Sequence, residues 1–249
     1  MTKAVRFLFA ASLLTCGLAF ADGPDSNGWG YEGATAPEHW GDLKSKYQEC
    51  KTGQAQSPVN IETNAAQKSI LMPISTHYLN TAVGVENTGR TIQVNFKNGG
   101  QATLPSGAYA LKQLHFHTPS EETVNGKSFP IEAHLVHKNA DGRLAVIALF
   151  FESGQENTAL RDIFSRLPQQ KEDEFQSSFD ASSLIHGDLA FYNYSGSLTT
   201  PPCSEGVDWY VLKRPNMMSA KQIVNFQKLF PMNARPLQPI NNRIIKESN

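Results

Sequence analysis

Net charge, cysteine and long apolar runs are all scarce in this 249-residue chain, and each scarcity excludes a class of function. Its 22 Lys and Arg stand against 23 Asp and Glu, a formal net charge of −1. A balance this even excludes electrostatic capture of nucleic acid or of an anionic membrane surface. The longest apolar stretch is the 14 residues Phe7–Phe20, too short to span a bilayer with ease, so no membrane span is expected. Preceded by Lys3 and Arg6 and closed by Ala19-Phe20-Ala21, the stretch reads as a secretory signal peptide, residues 1–21, cut after Ala21. A lipid anchor at Cys16 is the weaker alternative, because Thr15 is a poor residue to precede it. Gly/Ser-rich linkers, internal repeats and low-complexity segments are absent, so residues 22–249 are expected to fold as one domain.

Cleavage changes the counts. Lys3 and Arg6 leave with the signal and no acid does, so 20 basic residues face 23 acidic ones, a charge of about −3. Of the three cysteines Cys16 also leaves. Cys50 and Cys203 remain, an even pair in an oxidising compartment where a disulfide is the default state. The alternative is two buried free thiols.

Strand patterns dominate what is present. TIQVNF (91–96) alternates Ile92, Val94 and Phe96 with polar residues, as a half-buried strand does. LAVIALFF (144–151) is continuously apolar, which suits a central strand covered on both faces. VDWYVLK (207–213) reads as another strand. Two helices are predicted. In ENTALRDIFSRLP, Leu160, Ile163, Phe164 and Leu167 recur at helical spacing before Pro168. In SAKQIVNFQKLFP, Ser219 and Gln222 form a capping-box start and Pro231 a stop. Short strands with Pro/Gly-rich connections and few helices indicate a sheet-dominated domain rather than βαβ units.

The stretch QLHFHTPSEETV carries the chemistry. Residues i and i+2 of a strand point the same way, so Gln113, His115 and His117 share one face and Leu114 and Phe116 the other. In IEAHLVHKN, Glu132, His134 and Val136 share a face by the same parity, and His137 takes the opposite one. If the two strands are antiparallel neighbours, His115, His117 and His134 converge on one ion. Three neutral imidazoles and an open position make a catalytic zinc site rather than a closed structural one. Imidazole ligands usually donate their second N–H to a fixed acceptor. Gln113 and Glu132 stand two residues before His115 and His134. His137, His39, His77 and His186 lack ligand spacing and read as core or surface histidines.

With the motifs around them, these residues resemble the alpha-class carbonic anhydrases, in particular the secreted bacterial type. The likeness covers nearly all of the mature chain. It includes GWGYEG with PEHW (28–40), QSPVNI (56–61), NTGRTIQVNF (87–96), QLHFHTPSEETV (113–124), EAHLVH (132–137), SGSLTTPPCSEGVDWYVLK (195–213) and NARPLQPINNR (233–243). The resemblance implies a single mainly β domain with peripheral helices (α+β). It would be built on a twisted, mostly antiparallel sheet of about ten strands, with zinc at the base of a conical cleft. It implies one zinc ion per chain, held by His115, His117 and His134, with Gln113, Glu132 and the backbone carbonyl of Asn233 orienting the rings. It implies reversible hydration of carbon dioxide to bicarbonate and a proton by attack of a zinc-bound hydroxide. Thr199 would accept a hydrogen bond from that hydroxide and donate to Glu121, and Thr200 would help bind bicarbonate. Val136, Val146, Leu198 and Trp209 match an apolar wall for carbon dioxide, and Tyr31 and Gln93 match polar cavity positions. Cis bonds are implied at Ser57-Pro58 and Pro201-Pro202. Sulfonamides and small anions would inhibit. A periplasmic location follows from the signal, and the resemblance admits a homodimer, for which no sequence patch stands out.

The chain departs from the family's pattern at one position. Where fast members carry a histidine that ferries protons to buffer, this chain has Arg90. A guanidinium stays charged near neutrality and cannot relay, whereas histidine titrates there. Proton export is therefore expected to limit turnover at low buffer, with Glu86 and His77 as weak substitutes. Three rival functions stand beside the enzyme reading. A catalytically silent relative of the family would lack a zinc histidine, and none is missing here. An ester hydrolase is expected only as a side activity. A structural zinc protein would need a fourth ligand, which the sequence does not offer.

Overall fold

Alternating apolar residues turn one face of each long strand into a core. In the structure, a computed structural model describing residues 28–248, these strands join one large sheet. The expected signal peptide, residues 1–21 with Cys16, lies outside the described residues. Ten strands lie side by side in the order Glu174–Phe179, Thr81–Asn87, Ile92–Phe96, Gly107–His117, Ile131–Lys138, Leu144–Ser153, Glu205–Leu212, Phe191–Ser197, Lys246–Glu247 and Gln67–Lys68. Pairing along this path is antiparallel except between Leu144–Ser153 and Glu205–Leu212 and between Lys246–Glu247 and Gln67–Lys68. Three further short strands attach beside the path. The mainly β expectation holds, with few helices.

Local sequence explains most of the elements. Ile92, Val94 and Phe96 are buried along Ile92–Phe96, as their alternation required. Residues 145–151 are buried without a break, because that strand lies inside the sheet with both faces covered. The helix Ala220–Leu229 starts at a complete capping box, Ser219 with Gln222. The other predicted helix is shorter than its periodicity, spanning only Arg161–Ser165. Asn157 is the reason. Its amide N–H, carbonyl and side chain bond Gln222 and Met217, and its Oδ1 accepts the Leu160 N–H. The segment before Arg161 is thereby tied to a neighbouring element instead of winding.

Parity places the two faces of the central strands. Leu114, Phe116, Ala133 and Leu135 enter the main core. The Phe116 ring meets Phe164 at 5.2 Å and Phe226 at 6.0 Å, so both helices pack beneath the histidine-bearing strand. Each such buried aromatic contributes roughly 1.5–3 kcal/mol, and together they make the strand a stiff base for whatever its other face holds.

Cys50 and Cys203 are joined as a disulfide across 153 residues, which removes the free-thiol alternative. A closed loop of that length is worth roughly 3–5 kcal/mol. Ser57-Pro58 and Pro201-Pro202 are cis, and so is Thr118-Pro119, which the sequence did not suggest.

His137 is a core histidine. It is buried, and its Nε2 lies 2.7 Å from the Tyr78 hydroxyl. Burial pushes its pKa down to about 4. The unfolded chain takes up a proton near pH 6.5 that the folded chain refuses until about pH 4. Stability is therefore full above about 6.5 and falls as pH drops through that window. His137→Gln is expected to remove this dependence. Its loss of unfolding free energy between pH 7 and 4.5 should be about 2–3 kcal/mol smaller than that of the unsubstituted protein, at about 1.4 kcal/mol per unit. Urea titrations at the two pH values measure it.

Candidate metal centre

Register brings the histidines together. His115 pairs directly with His134 across the antiparallel strands Gly107–His117 and Ile131–Lys138, and His117 pairs with Glu132. A register shift between Leu111 and Gln113 sets this alignment, so the ladder is regular where the ligands stand. The ligating nitrogens of His115, His117 and His134 all lie within 4.8 Å of one another. Ring centroids are separated by 4.6–5.1 Å.

Two of the rings are held from behind by hydrogen bonds, and the third is backed by carboxylates. His115 Nδ1 lies 2.8 Å from Gln113 Oε1, and His117 Nδ1 lies 2.8 Å from the Asn233 carbonyl. The Asn233 side chain extends that support: its Oδ1 accepts the Thr118 N–H, and its Nδ2 donates to the Arg90 and Phe116 carbonyls. His134 Nε2 faces two carboxylates, Glu132 Oε1 at 3.5 Å and Glu122 Oε2 at 3.7 Å. Its Nδ1 lies 3.9 Å from Glu121 Oε2, the same oxygen that His117 Nε2 approaches at 3.4 Å.

Electrostatics suit a cation. Burial, then neighbouring His134, holds His115 and His117 well below the usual imidazole range, so both are neutral lone-pair donors. Burial also pushes His134 down, but Glu122 and Glu132 outweigh it and lift the ring to about 10. Those carboxylates favour positive charge at His134, and a dication beside the ring supplies what the proton otherwise would. Burial raises Glu121 to about 7 against the pull of His134, with the Arg235 amide and the Thr199 hydroxyl also lowering it. Among the described residues, the buried polar side-chain atoms without a hydrogen-bond partner cluster here: His117 Nε2, Glu121 Oε2, Glu122 Oε2, Glu132 Oε1 and His134 Nε2, with only His137 Nδ1 elsewhere. An orphaned buried nitrogen costs roughly 1–3 kcal/mol, and a metal ion among the three rings removes that cost at His117. The donor set fits zinc, which takes imidazole nitrogen and leaves one position open where only three protein ligands are present.

A cavity of about 220 Å³ opens onto this cluster, with Trp29, Tyr31, Arg90, Gln93 and Thr200 in its walls beside His115 and His117. The four apolar positions form a packed cluster beside it. Val136, Val146 and Trp209 are successive cross-strand partners, and Leu198 packs in the same cluster. They meet the centre where the His134 ring stands edge-on to Trp209 at 4.9 Å. Thr199 is buried just beyond the strand Phe191–Ser197. Glu121 Oε1 accepts the Arg235 N–H at 2.8 Å.

The turn after Thr81–Asn87 carries Arg90. Its Nε and one terminal nitrogen donate to the Trp29 carbonyl at 3.1 and 2.7 Å, and its guanidinium lies 4.1 Å over the Trp29 ring. Neither weak relay candidate lines the cavity. Glu86 accepts from Gln93 and Asn95, and His77 is exposed on an edge strand paired with Gln101. Neighbours of the site not singled out from the sequence are Trp29, Thr88 and Thr91 in the cavity wall, Arg235 on Glu121 and Glu122 beside His134. The adjacent acids Glu121 and Glu122 were a visible signal, but loop residues carry no parity from which to tell their directions.

Comparison with known proteins agrees with this geometry. The family described as eukaryotic-type carbonic anhydrase matches residues 35–249. A carbonic anhydrase of Klebsiella pneumoniae is 43% identical over 224 residues, covering 88% of this chain and 90% of that protein. One of Neisseria gonorrhoeae is 41% identical over 245 residues, covering 96% of each. The alpha-carbonic anhydrase of Thermovibrio ammonificans, solved with the inhibitor sulfanilamide, superposes with a TM-score of 0.86 at 43% identity. That match covers 88% of this chain and 98% of the other.

Proposed function

The chain belongs to the eukaryotic-type carbonic anhydrase family, and on that premise we propose that its hydration of carbon dioxide hands the released proton directly to solution buffer. It is a zinc enzyme of the carbonate dehydratase reaction, and the observation that carries this is the three converging imidazoles. Zinc, when bound, acidifies a water to a pKa of about 7 and so supplies the nucleophile, a value established for carbonic anhydrases as a class.

The protein's own residues then have distinct tasks. Glu121, when ionised, only accepts hydrogen bonds, so the Thr199 hydroxyl donates to it. The hydroxyl's lone pairs are left to accept from the attacking oxygen, and that fixes where the nucleophilic lone pair points. Thr200, in the cavity wall, binds the bicarbonate oxygens. Val136, Val146, Leu198 and Trp209 give a small linear apolar molecule a surface with no hydrogen bonds to compete for. Tyr31 and Gln93 keep the cavity wall polar.

Proton export is where this chain differs. Arg90 is a guanidinium donor engaged with Trp29, and among the described residues no histidine besides the ligands lines the cavity. Stopped-flow hydration by the zinc-loaded protein over an imidazole series is expected to rise about tenfold or more toward saturation, as a general base worth ~10²–10⁴ is supplied from outside. A fast rate that ignores buffer would overturn the export proposal and leave the enzyme assignment standing. The disulfide supports a location outside the cytoplasm, the periplasm in a bacterium. Recovery of residues 22–249 in the periplasmic fraction tests both that and the cut after Ala21. No helix of the described residues is long and apolar enough to cross a membrane. A homodimer is open to the same test by sedimentation.

A further inference from the structure

Behind His134 stand two carboxylates where one would orient the ring. Glu122 and Glu132 are each 0% exposed, and their oxygens lie 3.7 and 3.5 Å from the same His134 Nε2. Glu132 is anchored on its far oxygen, which accepts the backbone N–H groups of Glu121 and Glu122 at 2.7 and 3.1 Å. Glu122 is anchored quite differently. Its Oε1 accepts the Tyr194 hydroxyl at 2.6 Å, and that hydroxyl lies 3.0 Å from Ser57 Oγ. Ser57 Oγ in turn accepts the Ser197 N–H, two residues before Thr199. The Tyr194 ring stacks on Trp209, 11° from parallel.

We propose that Glu122 is a second positioning residue of the metal centre, acting with Glu132 on the Nε2 side of His134 so that Nδ1 is held toward the ion. A buried carboxylate costs several kcal/mol unless it is paired, and Tyr194 occupies only one of its oxygens. The other oxygen has no hydrogen-bond partner and faces His134. The arrangement also ties the third ligand to the segment bearing Thr199, through Tyr194, Ser57 and Ser197. Positioning of this kind reads out in metal affinity, because partners behind zinc ligands typically change it by 10–100-fold.

The inference rests on His134 being a zinc ligand, and the experiment separates the two claims. Zinc affinity of the folded apoprotein is measured by competition with dipicolinate, alongside thermal melting without metal. Failure of the unsubstituted protein to bind zinc would sink the metal-centre reading itself. With that binding in place, Glu122→Ala is expected to weaken affinity ~10–100-fold. Tyr194→Phe, which keeps the ring on Trp209 but frees Glu122 Oε1, is expected to weaken it in the same direction and to add nothing in the Glu122→Ala background. A folded Glu122→Ala protein with unchanged zinc affinity, however much its melting temperature falls, means Glu122 only packs and overturns the proposal. Should Glu122→Ala fail to fold, Tyr194→Phe decides alone, and unchanged affinity there overturns it equally.

Discussion

His115→Ala is expected to weaken zinc binding by ~10²–10³-fold and to take carbon dioxide hydration down with it. The magnitude follows from sharing out a zinc site's binding energy. Apparent binding free energies of about 10–16 kcal/mol for four-ligand sites correspond to roughly 2.5–4 kcal/mol per ligand. His115 is the informative ligand to remove. His117 and His134 are buried, and removing either would strand a core acceptor, the Asn233 carbonyl or the Glu122 and Glu132 carboxylates. His115 borders the cavity, so water can enter and solvate Gln113 in its place. The apoprotein should melt within a few degrees of the unsubstituted one, which makes the loss a metal effect and not a folding effect. Equilibrium competition with a chelator, read beside apo melting, measures both. The outcome also discriminates between two clusters. Glu122, Glu132 and His134 form a second group with metal-ligand separations, and undiminished zinc binding after loss of His115 would move the ion there.

The centre was legible in the sequence because strands have the simplest geometry a chain can adopt. A period of two fixed the faces of Gln113, His115, His117, Glu132 and His134, and the opposite face of His137. Only the register was missing, and buried Leu114, Phe116, Ala133 and Leu135 specify it, since a one-residue slip would expose them all. What the period could not reach lies on loops or far along the chain. Asn233 meets His117 from 116 residues away, and only the family resemblance supplied it. Glu122 sits between a cis Thr118-Pro119 bond and a short return to Phe129, where neither alternation nor helical spacing applies. Arg90 follows a turn, and its swing onto Trp29 depends on a segment 61 residues earlier. The Glu156–Leu167 pattern misled for a related reason. Helical spacing gave the correct buried face, Ile163 and Phe164, but tertiary bonds from Asn157 to Gln222 and Met217 held the first turn out of the helix.

Thr199→Ala is expected to lower kcat/KM for hydration ~10²-fold or more while leaving zinc affinity within a few-fold. Removing one preorganised group that orients developing charge costs ~10²–10³ in enzymes generally, and Thr199 touches no ligand nitrogen in the hydrogen bonds of this structure. The direction of its own bond is what matters. On the proposed reading an ionised Glu121, whose Oε1 already accepts the Arg235 N–H, can only accept, so the Thr199 hydroxyl would donate to it. Glu121→Gln breaks that logic without changing shape. The amide can donate, the Thr199 hydroxyl can then accept, and its proton rather than its lone pair faces the attacking oxygen. The two substitutions should therefore cost about the same, and the double variant no more than either alone, because one orientation is lost once. Thr199→Ser keeps the hydroxyl and should retain most of the rate. Initial rates by stopped flow at saturating buffer isolate this step from proton export. Losses that multiply in the double variant would mean that Thr199 and Glu121 act separately, and a fast Thr199→Ala enzyme would mean that the hydroxyl orients nothing.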